Sequence, residues 1–200
     1  RSCGEADRRT ATAVVRLANA IAVPDRVGAL AEACMALTYA EVLRRGGVLL
    51  HGATLWLDGR AFVVVGFSGA GKSTLAARFP GQHLHDEHAW LVPHADGGWE
   101  VWRHAEFRGP REELPWRVPL AGVFVLGPDR TVTATTPLAA RERMAAVLVH
   151  AYHAGGAGGG PMLDAVAALV AAVPVFAFAH QLRDPPAQVA AVLREVCRGE

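Results

Sequence analysis

The stretch GFSGAGKST at residues 66 to 74 comes straight after the apolar run Ala61-Phe62-Val63-Val64-Val65. A glycine-rich turn between a buried strand and the start of a helix leaves few architectures open, because strand, turn and helix must all meet at one point. Gly66-x4-Gly71-Lys72-Ser73 is a complete Walker A pattern in that context. Phosphate oxygens need many donors at short range. Such a turn offers them the backbone N–H groups of Gly66, Phe67, Ser68, Gly69, Ala70 and Gly71 and the positive end of the helix dipole. Lys72 adds a compact charge for β and γ phosphates. The Ser73 hydroxyl suits Mg2+, and Thr74 stands beside it as a lesser contributor. The plain alternative is an ordinary glycine turn.

Lys72 is the only lysine in the chain, against 19 arginines (20 basic residues less one). A wide, planar guanidinium does not replace an ammonium among crowded phosphate oxygens, so arginine fills every other basic position and stops here. The 20 basic and 19 acidic residues are spread along the chain, without the basic block that nucleic acid or an anionic membrane favours. Apolar runs are interrupted well short of a membrane span. Cys3, Cys34 and Cys197 are odd in number and far apart, which supports neither a zinc knuckle nor a disulfide framework and suits a reducing cytoplasm. The chain opens on Arg1 with no signal-like apolar core, and a piece of a longer chain is the expectation.

At 200 residues and 52% hydrophobic content, one α/β domain is expected. Residues 1–46 form a mainly helical N-terminal segment, with a helix over about 27–45, and 47–200 form the catalytic domain. Asp58-Gly59 separates two β-type runs, 48–57 and 60–65, as a hairpin turn would. A short helix runs from 73 to about 79. A second hairpin is predicted from 89–92 and 99–103, then a loop over 104–117 and a strand over 120–126. Thr136-Pro137 suits an N-cap and N1 of a helix reaching His150. GGAGGG at 155–160 breaks the chain as a hinge or lid before a helix over 162–172. A strand over 174–179 and a helix opening at Pro185-Pro186 complete the pattern.

Twelve residues past Thr74, Asp86 and Glu87 form an acidic pair that suits a phosphoryl-transfer site. One carboxylate holds Mg2+ and the other takes a proton from an attacking hydroxyl. A solvated turn is the alternative. His83, His85 and His88 surround the pair without any standard zinc spacing. His51, among apolar strand neighbours, suits a satisfied core residue as well as a catalytic one. Arg108, among Arg103 and Arg111, is the favoured candidate for neutralising transferred phosphate. Trp90, Trp99, Trp102 and Trp116 suit core packing more than base stacking.

HGATLWLDGRAFVVVGFSGAGKSTLAARF followed by LHDEHAWLV resembles the core of the HPr kinase/phosphorylase family and its small relatives, which are structurally related to ATP-type phosphoenolpyruvate carboxykinase. The likeness covers about 48–92, with a His-Gly, the phosphate loop and an acidic pair in order. It implies a P-loop-containing, mixed and curved β-sheet with packed helices, and ATP and Mg2+ as cofactors. It further implies Asp86 as general base, Glu87 beside the metal and His51 close to that acid. Glu87 stands where the family has a second aspartate. Small relatives of this kind resemble the kinases of lasso and other ribosomal peptide pathways, which implies a serine of a precursor peptide as acceptor. Homo-oligomers also occur in the family. Competing readings are a small-molecule kinase and a non-catalytic ATP-binding module. A GTP switch is excluded, because its N-K-x-D signature needs a second lysine.

Overall fold

Asp58 and Gly59 both adopt positive φ, 51° and 80°, the conformation of a tight hairpin turn that Asp-Gly favours. In the computed structural model this turn joins β3 (Val48–Leu57) to β4 (Arg60–Val65), paired from Gly52–Val65 to Leu57–Arg60. The structure describes residues 3–7, 12–16, 23–103, 114–129, 131, 133–152, 159–181 and 183–196, with side chains from residue 33 onward. Arg108, Arg111, Cys197 and residues 155–158 of the glycine tract lie outside them.

The N-terminal segment carries a hairpin besides the expected helix. A hairpin of β1 (Cys3–Asp7) and β2 (Thr12–Arg16) precedes α1 (Val23–Arg44), which starts four residues earlier than predicted, with Pro24 in its first turn. Proline fits there because first-turn N–H groups have no intrahelical partner. After the glycine-rich loop come α2 (Lys72–Ala77), β5 (His83–His85), β6 (His88–Pro93), β7 (Trp99–Trp102) and β8 (Arg117–Leu126). The strand β5 was not anticipated.

Thr136-Pro137 does not cap a helix. It ends β9 (Ala134–Pro137), where Thr135 and Thr136 pair with strand β10 (Val175–Ala179). β-branched threonines fit a ladder, and β9 is an edge strand, where a proline is tolerated. Helix α3 (Ala140–Leu148) follows, with Glu142 Oε2 accepting the Ala139 N–H at 3.2 Å. The last two glycines of the tract begin α4 (Gly159–Ala172), and α5 (Pro186–Glu195) ends the described chain.

The eight-stranded sheet is mixed: β4–β8 and β8–β10 are parallel, and the other pairings are antiparallel. Because β4 pairs with β8 as well as with β3, the order β4-β3-β6-β7-β8 closes on itself. Alternation along the strands splits the core. Val63, Val65, Val123 and Val175 pack with Val147, Val166 and Leu169 of α3 and α4. Phe62, Val64, Phe124 and Phe178 pack with Leu75 of α2 and with Val189 and Leu193 of α5. Tyr39 and Val42 of α1 cover Leu49 and Trp90. Among the described residues, no helix is long and apolar enough to cross a membrane.

Phe124 is fully buried and its ring meets those of Phe62, Phe176 and Phe178. Phe124→Ala is expected to cost roughly 3–5 kcal/mol in urea denaturation, with the slope of the transition unchanged.

A candidate phosphate and acid site

The loop begins where β4 loses its neighbours. Val65 pairs with Gly52 on one side and Val125 on the other, and the chain then turns away. Ala70 donates its N–H to the Phe67 carbonyl at 3.0 Å. Gly69 and Gly71 take φ of 77° and 96°, a region open to glycine. Gly71 caps α2, whose first turn closes with the Leu75 N–H on the Gly71 carbonyl at 2.9 Å. Phe67, Ser68, Gly69, Ser73 and Thr74 are exposed, while Ala70 and Gly71 are half-buried.

Lys72 is only 6% exposed. Its Nζ curls back to donate to the Gly66 carbonyl at 2.7 Å and the Phe67 carbonyl at 3.3 Å. Burial lowers its pKa, and the nearby Glu87 carboxylate acts in the opposite direction. The ammonium is held inside the loop with an acid of the predicted pair close enough to be felt. Arg78, just past α2, anchors the helix from its far end: one guanidinium nitrogen lies 3.1 Å from His180 Nε2 and the other donates to the Asp184 carbonyl.

Asp86 and Glu87 link β5 to β6, and both strands pair with the same edge of β3. The Gly52 N–H donates to the Glu87 carbonyl at 3.0 Å. Gly52 therefore stands between the root of the loop on one side and the acidic pair on the other, one strand spacing of about 5 Å to each. A Cβ at Gly52 would lie 2.8 Å from the Val64 carbonyl oxygen and 3.1 Å from Val65 Cγ1, which explains why the strand carries His-Gly here. Asp86 and Glu87 are both exposed.

His51 is half-buried and its ring stands edge-on to that of His88 at 6.5 Å. Its N–H donates to the His150 carbonyl at 2.8 Å, and the Tyr152 N–H donates to the Leu49 carbonyl at 2.8 Å. With the Leu50–Ala151 bridge, these bonds make residues 150–152 a short continuation of the sheet along the part of β3 that β4 leaves uncovered. His150 is buried, 5.3 Å from the Phe67 ring, and Tyr152 lies 6.0 Å from His88. Burial lowers the pKa of His150, and the charges of Lys72 and His51 add to the effect. His88 is likewise lowered, first by burial, with Glu87 opposing and His51 and His85 reinforcing. Sequence spacing had no means of finding His150 and Tyr152, which join the site only through tertiary pairing.

The three histidines around the acids go separate ways. His83 Nδ1 lies 3.3 Å from the Phe79 carbonyl, buried His85 Nε2 lies 3.2 Å from the Trp102 carbonyl, and His88 faces His51. Among the described residues, no three His, Cys, Asp or Glu side chains gather as a metal cage. Of the tryptophans, Trp90 and Trp99 are buried, Trp102 has the guanidiniums of Arg45 and Arg117 over its ring, and Trp116 is exposed under Arg103.

A family model, that of the SynChlorMet cassette protein ScmC, matches residues 25–152. The chain belongs to the ScmC family. The ScmC match takes in all but the first two residues of α1, the loop, the acidic pair and the 150–152 segment, and ends before α4. No curated protein matches the chain. Among solved structures, the Hpr(Ser) kinase/phosphatase from Coxiella burnetii is similar at 10% identity and a TM-score of 0.45, over 76% of this chain and 97% of that one.

Two outcomes are expected. Gly52→Ala should lower stability by roughly 1–3 kcal/mol in chemical denaturation, through overpacking against the end of β4. The folded chain also binds a proton on His150 less tightly than an unfolded imidazole of pKa 6.5 does. Stability is then full above about pH 6.5 and declines below it, with a limiting slope of about 1.4 kcal/mol per pH unit for each proton taken up on unfolding. His150→Gln should make that acid slope shallower in thermal melts run between pH 5 and 7.5.

Proposed function

We propose that this chain is an ATP- and Mg2+-dependent kinase that moves the γ-phosphoryl group to a hydroxyl, that of a serine in a peptide or small protein. The observation that carries the reading is Gly52, with the root of the Lys72 loop on one side of its strand and Asp86-Glu87 on the other. The sequence resemblance of 48–92 to HPr-kinase-like proteins supports the same reading, and cytoplasmic placement goes with it.

The residues fit the groups such a reaction needs. A loop of exposed residues around an internal ammonium suits a polyphosphate. A hydroxyl and two exposed carboxylates are hard oxygen donors, and Mg2+ is commonly held by one or two carboxylates together with substrate phosphates. Ser73, Asp86 and Glu87 would hold it. When bound, Mg2+ supplies neutralisation of phosphate charge.

In the proposed reaction the acceptor oxygen bonds to the γ-phosphorus as the bond from that phosphorus to the ADP oxygen breaks. The hydroxyl proton passes to Asp86. Lys72 and the loop N–H groups of Gly66 to Ser73 stabilise charge on the phosphates, with Thr74 beside them. Burial keeps Lys72 in place without water competing for it. His51, whose ring faces that of His88, is assigned a place close to that acid. Arg108, outside the described residues, is assigned to the transferred phosphate.

Incubation of the chain with labelled ATP, Mg2+ and serine peptides, read by mass spectrometry, tests the reading. Lys72→Ala is expected to lower transfer roughly 100- to 1,000-fold, and Lys72→Arg should not restore it. Asp86→Asn should cost roughly 100- to 10,000-fold, with ATP still bound. Transfer at the parent rate by either the Lys72→Ala or the Asp86→Asn variant would sink the assignment. Tight ATP binding without transfer to any hydroxyl would favour a binding module instead.

A further inference from the structure

We infer that Phe67 and Tyr152 form a seat for an apolar side chain flanking the acceptor serine, so that the substrates are peptides with an apolar residue next to the phosphorylated hydroxyl. This rests on the kinase reading above and adds to it the character of the peptide.

Large apolar side chains are left in water at few places among the described residues, and two of them belong to the aromatic run that starts at the loop. Phe67 is 72% exposed and Tyr152 43%. Phe67 belongs to the phosphate loop itself, and one edge of its ring is fixed against His150. Tyr152 is held at two points: its ring stands edge-on to Tyr39 at 5.9 Å, and its carbonyl accepts the Tyr39 hydroxyl at 2.7 Å. Because His150 and Tyr152 are two apart on a strand-like segment, they share one face of the sheet, the face that also carries His51 and His88. Phe67 meets the first of these rings and His88 the second, so the aromatic surface runs from the loop to the residue following Glu87.

That direction distinguishes an acceptor from the nucleotide base. The acceptor hydroxyl has to reach Asp86, and the aromatic surface ends against His88, two residues along the chain from it. An extended peptide advances about 3.3–3.6 Å per residue, so a side chain one or two positions from the serine falls within reach of this surface. The surface is aromatic, and burial keeps the imidazole of His150 uncharged at neutral pH. A charged or strongly hydrated residue would lose its water there without a partner, whereas an apolar one loses nothing.

Paired peptides that differ only in the residue flanking serine, Leu or Phe against Asn or Asp, test the inference with the full-length chain, ATP and Mg2+. The parent is expected to favour the apolar peptides at least roughly tenfold in kcat/KM, with the difference in KM, the scale of one apolar side chain in a pocket. Tyr152→Ala should raise KM for the apolar peptides and remove most of the preference, with ATP affinity, measured by calorimetry, within about twofold of the parent. Phe67→Ser, a change at an exposed position, should reduce the preference in the same direction if Tyr152→Ala fails to fold. Equal use of the paired peptides by the parent overturns the inference and leaves the kinase reading standing. So does a preference that survives the substitutions. Transfer to no peptide at all, with ATP bound, overturns both.

Discussion

Strand β4 has a partner on each edge along Ala61–Val65, antiparallel β3 and parallel β8, and the site exists because both ladders stop at Val65. A strand held on two sides and buried on both faces cannot slip or fray, so the turn that follows starts from a fixed point in the middle of the sheet. The same double pairing closes the sheet around β3, β6, β7 and β8. It leaves the far end of β3 free to accept Glu87 on one edge and the His150–Tyr152 segment on the other. Loop, acids and aromatic surface are all neighbours of one short stretch, Leu49–Gly52. Gly52 is the narrowest part of this arrangement, because a single methyl group there meets the backbone of β4.

Lys72 sets the electrostatics. An ammonium at 6% exposure loses most of its hydration, and the Gly66 and Phe67 carbonyls return only part of it. Glu87 favours its charged form, while the same charge disfavours a proton on His150. The outcome is a local division of labour, with positive charge fixed inside the loop, negative charge exposed at Asp86-Glu87 and aromatic rings between them. Arg78 holds α2 from its other end, so the first turn of that helix is fixed relative to β10 and α5.

The parts of this structure governed by neighbours in sequence were legible before any coordinates. The β3–β4 hairpin follows from Asp58-Gly59, the loop and α2 from the glycines and Lys72, and the β6–β7 hairpin from the turn-rich run His94 to Gly98 between two β-type runs. What was not legible depends on partners far along the chain. Thr136-Pro137 has the local chemistry of a helix start, but pairing with β10 claims it for an edge strand. The strand β5 is three residues long and exists because β3 has an unfilled edge. In the site, Lys72, Asp86 and Glu87 could be named from residue type and order. His150 and Tyr152 could not, since nothing local distinguishes a histidine at the end of α3 from any other. Their role comes from two hydrogen bonds to β3 across about a hundred residues of chain.

The central claim is that the Lys72 loop is a triphosphate cradle facing the acids. A crystal structure of the chain with Mg2+ and a non-hydrolysable ATP analogue tests it most directly. The account predicts the phosphates wrapped by the N–H groups of residues 67–73, with Lys72 Nζ moved off the Gly66 carbonyl onto phosphate oxygens, and Asp86 and Glu87 facing the terminal phosphate. A nucleotide bound elsewhere, with Lys72 still on the Gly66 carbonyl, would contradict it.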